Sequence, residues 1–338
     1  MGSRVQSTKI ALSVNKQVDI ATAQTVDNMV SFTKLNSSLA QSNLGIESDA
    51  AEYGKGDEFA TQLFTAGWDV SIPMEKYGTS QFAAWAWAYA LGKVTPISGG
   101  YTIAPIDLGT DGLELPYFTY VEQIPGTDDD QMAVGCVVEE ISHTINSGPG
   151  RQNNRITVSV VGSGKITDPS GITVPAPLAE TILPAGIATV TINGTDYVTS
   201  KKLVSVTMGW KNNCLLNDGF FPGSGFQTPG DATTGQLRGR IEVGTRAPSF
   251  SFVARVASDS VEAAQLSALT TGAATVSLPF SGTHSLTAAW AKVGFRVVRR
   301  TDQNGIATIT VTIEPMKDTV SGNILTITAL TDLANIAQ

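Results

Sequence analysis

Few residues of this chain could do chemistry, and their spacing argues against most of it. There are two histidines, His143 and His284. General-base catalysis needs an imidazole or a perturbed carboxylate with a recognisable partner. His143 follows a strand position and His284 lies beside Gly282 in a turn, neither next to a Ser or Cys motif. Only a triad assembled in space would serve. Gly162-Ser163-Gly164-Lys165 shares the end of a phosphate loop, but Ser159 and Ile166 stand where Gly and Ser or Thr are needed. Cys136, Cys214 and the histidines lack the paired spacing of a zinc site. Asp128-Asp129-Asp130 could ligate calcium, yet the alternating Asp-x-Asp-x-Asp-Gly spacing is missing, which favours a solvated turn. Asn36 and Asn193 match a glycosylation pattern that means nothing without secretion. Enzyme activity is not expected, nor a cofactor or metal.

The elements around these residues carry more information. Trp68, Val70 and Ile72 alternate with Asp69 and Ser71, the period of a half-buried strand, and Pro73 is expected to end it. Gly78-Thr79-Ser80 supplies a cap for a helix over 79–91, and Gly92 is a natural stop. Phe82, Trp85 and Tyr89 share one face of that helix, while Trp87 and Leu91 sit on another with alanines between. A helix apolar all round must be buried all round. One face can cover a sheet of this chain and the other a second subunit; a fully internal helix is the alternative.

Composition narrows the class. At 338 residues the chain can form one large β domain or two smaller ones. Charged residues make up 15%, below the roughly 25% usual for soluble domains. Low charge with many β-formers suits a surface covered by copies of itself. The net charge of −8 argues against a nucleic-acid binder held by phosphate contacts. Cys136 and Cys214 are read as two thiols rather than a disulfide, since nothing indicates an oxidising compartment. The start of the sequence has no apolar signal region, Gln6 stands where myristoylation wants Ser or Thr, and no apolar run has the length of a membrane helix. Folding in a cytoplasm is expected.

Along the chain, residues 1–30 read as a polar arm, with weak alternation at Ile10, Leu12 and Val14, that orders on a partner. A first strand follows within Val30 to Leu44, then a long acidic connection from Leu44 to Ala66. Connections of that length are either functional or disordered. Pro96 to Pro116 reads as irregular, Tyr117 to Gln123 as a strand, and Val134 to Ile145 as a strand bulged at Glu139-Glu140. Residues 151–202 read as inserted material containing a strand at Ile156 to Val160. They also contain a hairpin turning at Asn193-Gly194. Strands follow at Val204 to Trp210 and around Phe250 to Val256, then a short helix at Val261 to Leu269. A strand at Ala274 to Phe280, a hairpin of Val293–Arg300 with Ile309–Ile313, and a last strand at Ile324 to Leu330 close the set. The first part of the β domain is thus 31–150 and its second part 203–338. Many short alternating strands without a βαβ rhythm predict a mainly β fold: an antiparallel β-sandwich or barrel with a flanking α-helix.

The order of features brings a resemblance. A polar arm and strand precede the acidic stretch ESDAAEYGKGDEF, then WDVSIP, an apolar helix closing on YALGKV, GCVVEEI, SVTMGWKNN, FSFVARV and KVGFRVV. From Val30 to Leu330 this order resembles the tail tube (major tail) proteins of tailed bacteriophages. The chain is long for that family, and 151–202 departs from it. The resemblance implies a β-sandwich with a flanking helix, six copies of which form a ring whose sheets join into an inner barrel. Rings would stack into a hollow tube through which the genome passes without specific binding, and an acidic lining would repel its phosphates. Closing a ring also hides sheet edges. Implied partners are further copies of the chain, a tape measure protein, a tail terminator and baseplate or tail-tip proteins. The implied location is the virion tail, assembled in the host cytoplasm. Phe82, Trp85, Trp87, Tyr89 and Leu91 would meet the adjacent subunit. The loop residues Glu47, Asp49, Glu52, Tyr53, Lys55, Asp57, Glu58 and Phe59 would join one ring to the next, together with the arm. Rival readings are a capsid decoration or baseplate protein, and a carbohydrate-binding sandwich built on Trp68, Trp210, Trp290 and the Gly-rich loop at 222–230.

Overall fold

A computed structural model describes residues 9–29, 34–35, 70–123, 130–147, 153–167, 172–199, 203–216, 240–255, 261–303, 306–319 and 322–338. The early strands are β1 (Lys9–Leu12), β2 (Asn28–Met29), β3 (Lys34–Leu35), β4 (Ser71–Tyr77), β5 (Gly92–Ile97), β6 (Gly100–Pro105) and β7 (Phe118–Gln123). Next come β8 (Gln131–Asn146), β9 (Asn154–Val161), β10 (Lys165–Thr167), β11 (Thr189–Ile192), β12 (Thr195–Asp196), β13 (Leu203–Lys211) and β14 (Ala247–Arg255). Last are β15 (Thr271–Pro279), β16 (Ser285–Gln303), β17 (Ile306–Pro315) and β18 (Thr326–Leu330). The helices are α1 (Ser80–Leu91) and α2 (Val261–Ser267).

Every strand pairing is antiparallel, and the fold is mainly β, of the sandwich or barrel class expected. Two long strands each serve two sheets. The first part of β8 joins β7 and β10, with β1 and β2 beyond β7. Its second part lies between β9 and β13 in a sheet whose seven main strands are ordered β4-β9-β8-β13-β14-β17-β16, with the two-residue β3 beyond β4. The first part of β16 belongs to a second sheet whose six main strands are ordered β11-β15-β16-β18-β6-β5, with the two-residue β12 beyond β11. Long strands can change sheets because a bulge lets them bend. The β8 register shifts between Val138 and Glu140, where the sequence predicts a bulge.

Helix α1 is the centre of the molecule. Thr79 caps it, its hydroxyl accepting from the Phe82 N–H at 3.1 Å, and Gly92 closes it in the left-handed region at φ 90°. All twelve helical residues are buried. The reason is enclosure on three sides. The amino-terminal strands take the Trp85–Tyr89 side: Phe118 packs edge-on to both rings at 4.9 and 5.1 Å. Trp85 Nε1 donates to Ser13 O at 3.1 Å, and Tyr89 Oη to Val14 O at 2.9 Å. Strands β8 and β13 cover the Trp87 side, and β5, β6, β16 and β18 cover the rest. Burial of such aromatic side chains contributes roughly 2–3 kcal/mol each.

This corrects the expectation that Phe82, Trp85, Trp87, Tyr89 and Leu91 meet an adjacent subunit. Each is at most 2% exposed within a single chain, so α1 is enclosed rather than flanking and has no face left for a neighbour. Other expectations shift as well. Pro73 lies inside β4 rather than ending it, opposite Ser159 on β9; among the described residues the other flank of β4 pairs with β3 at Met74 and Glu75. Trp68 lies outside the described residues. Pro96–Pro116 is irregular only from Ile106 onward, for β5 and β6 make a hairpin that takes in Pro96 to Pro105. Of the expected arm, residues 9–12 pair with this chain's own β7, while residues 1–8 lie outside the described residues. Residues 151–202, read as inserted material, contribute strands to both sheets: β9 lies between β4 and β8, and β11 pairs with β15. The Asn193-Gly194 turn forms as expected, both residues having positive φ.

Candidate functional site

The two histidines occupy structural positions. β8 turns His143 inward, fully buried. Trp87 Nε1 donates to its Nδ1 at 3.5 Å, which places the imidazole proton on Nε2, 2.6 Å from Asn154 Oδ1. The Asn154 amide in turn donates to Leu183 O at 2.7 Å and Gly78 O at 3.3 Å. Burial pushes the His143 pKa down to about 4, only partly opposed by the hydrogen bond to Asn154. It is a neutral link between α1, β8, β9 and the 172–184 connection.

His284 does find a serine. Its Nδ1 lies 3.0 Å from Ser80 Oγ, a pairing across 204 positions that no sequence motif signals. The geometry does not make a nucleophile. Ser80 is fully buried, and its hydroxyl donates to Gln81 Oε1 at 2.9 Å. Gln81 Nε2 donates to Asp332 Oδ1 at 2.6 Å, and Gln81 Oε1 accepts the Thr181 N–H at 2.9 Å. The cluster fastens the start of α1 to the Pro-rich connection and to the C-terminal segment.

The remaining chemical candidates are also absorbed into packing. Cys136 and Cys214 are both thiols; burial pushes both upward, Cys214 to about 12 with the Glu139 carboxylate adding, so neither is a ready nucleophile. Ser163, in the partial phosphate-loop motif, is buried and donates to Val134 O at 2.6 Å. Asp128 and Asp129 lie outside the described residues, while Asp130 is buried and accepts from Gln123 Nε2 at 3.2 Å. Among the described residues no three acidic, His or Cys side chains gather around a metal position. Lys76, 3% exposed, pairs with Glu180 at 2.5 Å and lies 5.3 Å from the Phe82 ring centroid. Burial lowers its pKa, opposed by Glu180. Trp210 and Trp290 are buried, so neither offers a stacking platform for a sugar, and the 222–230 loop lies outside the described residues.

What the chain presents outward is two sheet faces. On the seven-stranded sheet, register places Arg155, Thr144, Thr207, Ser251, Thr312 and Val297 in one outward row. Its charges lie at the margins, where Glu75 pairs with Arg155, Lys211 with Glu140 at 3.5 Å and Arg296 with Glu314 at 3.0 Å. Arg255 is also exposed, as is Arg299. The six-stranded face is plainer still. Among the described residues no charged side chain points outward from β6, β11, β15, β18 or Ser285–Ala289 of β16. Lys93, at the outer edge on β5, pairs with Asp111 at 3.0 Å. An open groove of about 850 Å³ lies beside β5, lined by residues that include Lys16, Val18, Glu114, Tyr117 and Gln338. Its mixed charges name no ligand. The inter-ring candidates Glu47, Asp49, Glu52, Tyr53, Lys55, Asp57, Glu58 and Phe59 lie outside the described residues.

No protein-family model matches this chain, and no curated protein sequence matches it. No helix among the described residues is long and apolar enough to cross a membrane.

Proposed function

We propose that this chain is a structural, self-assembling subunit, and that its assembly is the tail tube of a tailed bacteriophage. The observation that carries the reading is the pair of broad outward sheet faces, hydroxyl-rich and, among the described residues, charged mainly at their edges, in a chain with 15% charged residues. A protein that must stay dispersed alone normally spreads charge over such faces. The order of sequence features supplies the particular assembly. In it, copies close into rings, rings stack, and duplex DNA passes through the lumen without specific binding. A tape measure protein, a tail terminator and baseplate or tail-tip proteins bound the tube, and the product resides in the virion.

Electron microscopy of the purified chain at high concentration tests this. Hollow tubes or six-fold rings with an open centre are expected. Closed trimers that never polymerise would replace the tube with a capsid decoration or baseplate role.

A further inference from the structure

The six-stranded sheet carries a feature that its strand-by-strand sequence conceals. Register aligns Thr189, Ser277, Thr287, Thr328, Thr102 and Thr95 in one row across β11, β15, β16, β18, β6 and β5. Adjacent strands lie about 4.8 Å apart, so the row is a ladder of hydroxyls. One rung is closed within the chain, Ser277 Oγ and Thr287 Oγ1 being 2.7 Å apart. The inward neighbours Val190, Val276, Ala288, Ile327 and Ile103 are all buried, so the ladder points away from the core. Toward one end the face turns apolar: Leu330 shares a row with Ile97, 40% exposed, and Phe280 is 48% exposed just past β15.

We propose that this face is the surface on which a second copy of the chain seats. It rests on the self-assembly part of the reading above and identifies the surface responsible. Three properties select it. Its charges are confined to the two edges, Asp196 on β12 and the Asp111-paired Lys93 on β5, whereas the seven-stranded face carries Arg255, Arg299 and its paired margins, and interface cores are depleted of charge. Six strands at about 4.8 Å and five residues at about 3.3 Å span roughly 500 Å² in projection. That is on the order of the roughly 800 Å² of accessible surface per partner in a stable complex, once side-chain relief and the apolar end are added. Last, β-branched threonines are stiff, so little side-chain entropy is lost when a partner arrives. The cation at this face's edge, Lys93, is already paired with Asp111, which disfavours nucleic acid as the occupant.

The test is sedimentation velocity of the full chain over a concentration series, with Thr287→Lys and Thr102→Lys at the centre of the ladder. Thr207→Lys on the seven-stranded sheet is the control. Circular dichroism and thermal melts check that each variant folds; Thr102→Lys serves if Thr287→Lys does not. The expected result is association by the wild type and Thr207→Lys, with the ladder variants held at the single-chain mass of 35.4 kDa. A wild type that stays monomeric throughout, or a folded ladder variant that associates like it, overturns the proposal. Closed dimers without tubes would sink the tube reading but keep this face. Tubes built by Thr287→Lys would do the reverse.

Discussion

Trp87→Ala separates an enclosed helix from one that waits for a neighbour. Trp87 is fully buried within the single chain, walled by β8 and β13, and donates to His143 Nδ1. Removing the indole leaves a cavity, which for Trp or Phe to Ala costs about 3–5 kcal/mol. It also strands the buried His143 acceptor, worth a further 1–3 kcal/mol or so. The sum, about 4–8 kcal/mol, is comparable to the whole stability of many domains, roughly 5–15 kcal/mol. The variant should therefore unfold at much lower urea, or fail to fold, at concentrations where no assembly forms. Trp87→Phe, which keeps most of the volume and loses only the N–H, should fall about midway. Urea unfolding of dilute protein followed by circular dichroism measures both. If Trp87→Ala unfolds within about 1 kcal/mol of wild type yet no longer assembles, the side chain belongs to an interface and the enclosure argument is wrong.

Three further outcomes follow from the same packing. His143 titrates near 4 in the fold and near 6.5 when unfolded, so the unfolded chain takes up the proton first as pH falls. Its contribution is complete above pH 6.5 and lost between 6.5 and 4, about 3 kcal/mol in all; the difference in urea midpoint between wild type and His143→Gln should change across that window and stay flat above it. Glu180→Gln strands the buried Lys76 ammonium and should cost about 3 kcal/mol, whereas the double change Lys76→Met with Glu180→Leu should be close to neutral; equal losses in the two would refute the desolvation argument. Gly92→Ala forces a side chain into φ 90° with its Cβ 2.6 Å from Ile106 Cγ2, and should lower stability by about 1–2 kcal/mol in a thermal melt.

The parts of this fold written in local pattern were legible. The α1 cap at Thr79 and stop at Gly92, the alternation of β9, β13 and β14, and the Asn193-Gly194 turn depend on neighbours a few positions away. What was not legible depends on distant residues. Pro73 reads as a terminator until β4 is seen to pair with β9 on both sides of it, from Ser71 to Tyr77. The β5–β6 hairpin hides because Lys93, Thr95 and Pro96 dilute any apolar rhythm on an edge strand. His284 and Ser80 meet only because the start of α1 lies beside the turn before β16. The hydroxyl ladder is the extreme case: its six members come from six strands, each contributing an unremarkable threonine or serine.

The enclosure of α1 also changes where assembly has to be sought. An aromatic helix in a β-rich chain looks like the adhesive element because hydrophobicity is easy to read in sequence. Once three walls of strand close over it, that hydrophobicity is spent on holding one chain together. The proposed association must then use surfaces that the monomer can expose without collapsing or aggregating. Rows of Thr and Ser meet that condition: wet when exposed, uncharged when covered, and stiff enough to pair without much loss of freedom. A subunit that folds alone and then joins copies of itself is better served by such a face than by five buried aromatic and aliphatic side chains. Under the proposed assembly, the same division lets a chain with so little charge persist as a monomer, since its most adhesive residues are already inside.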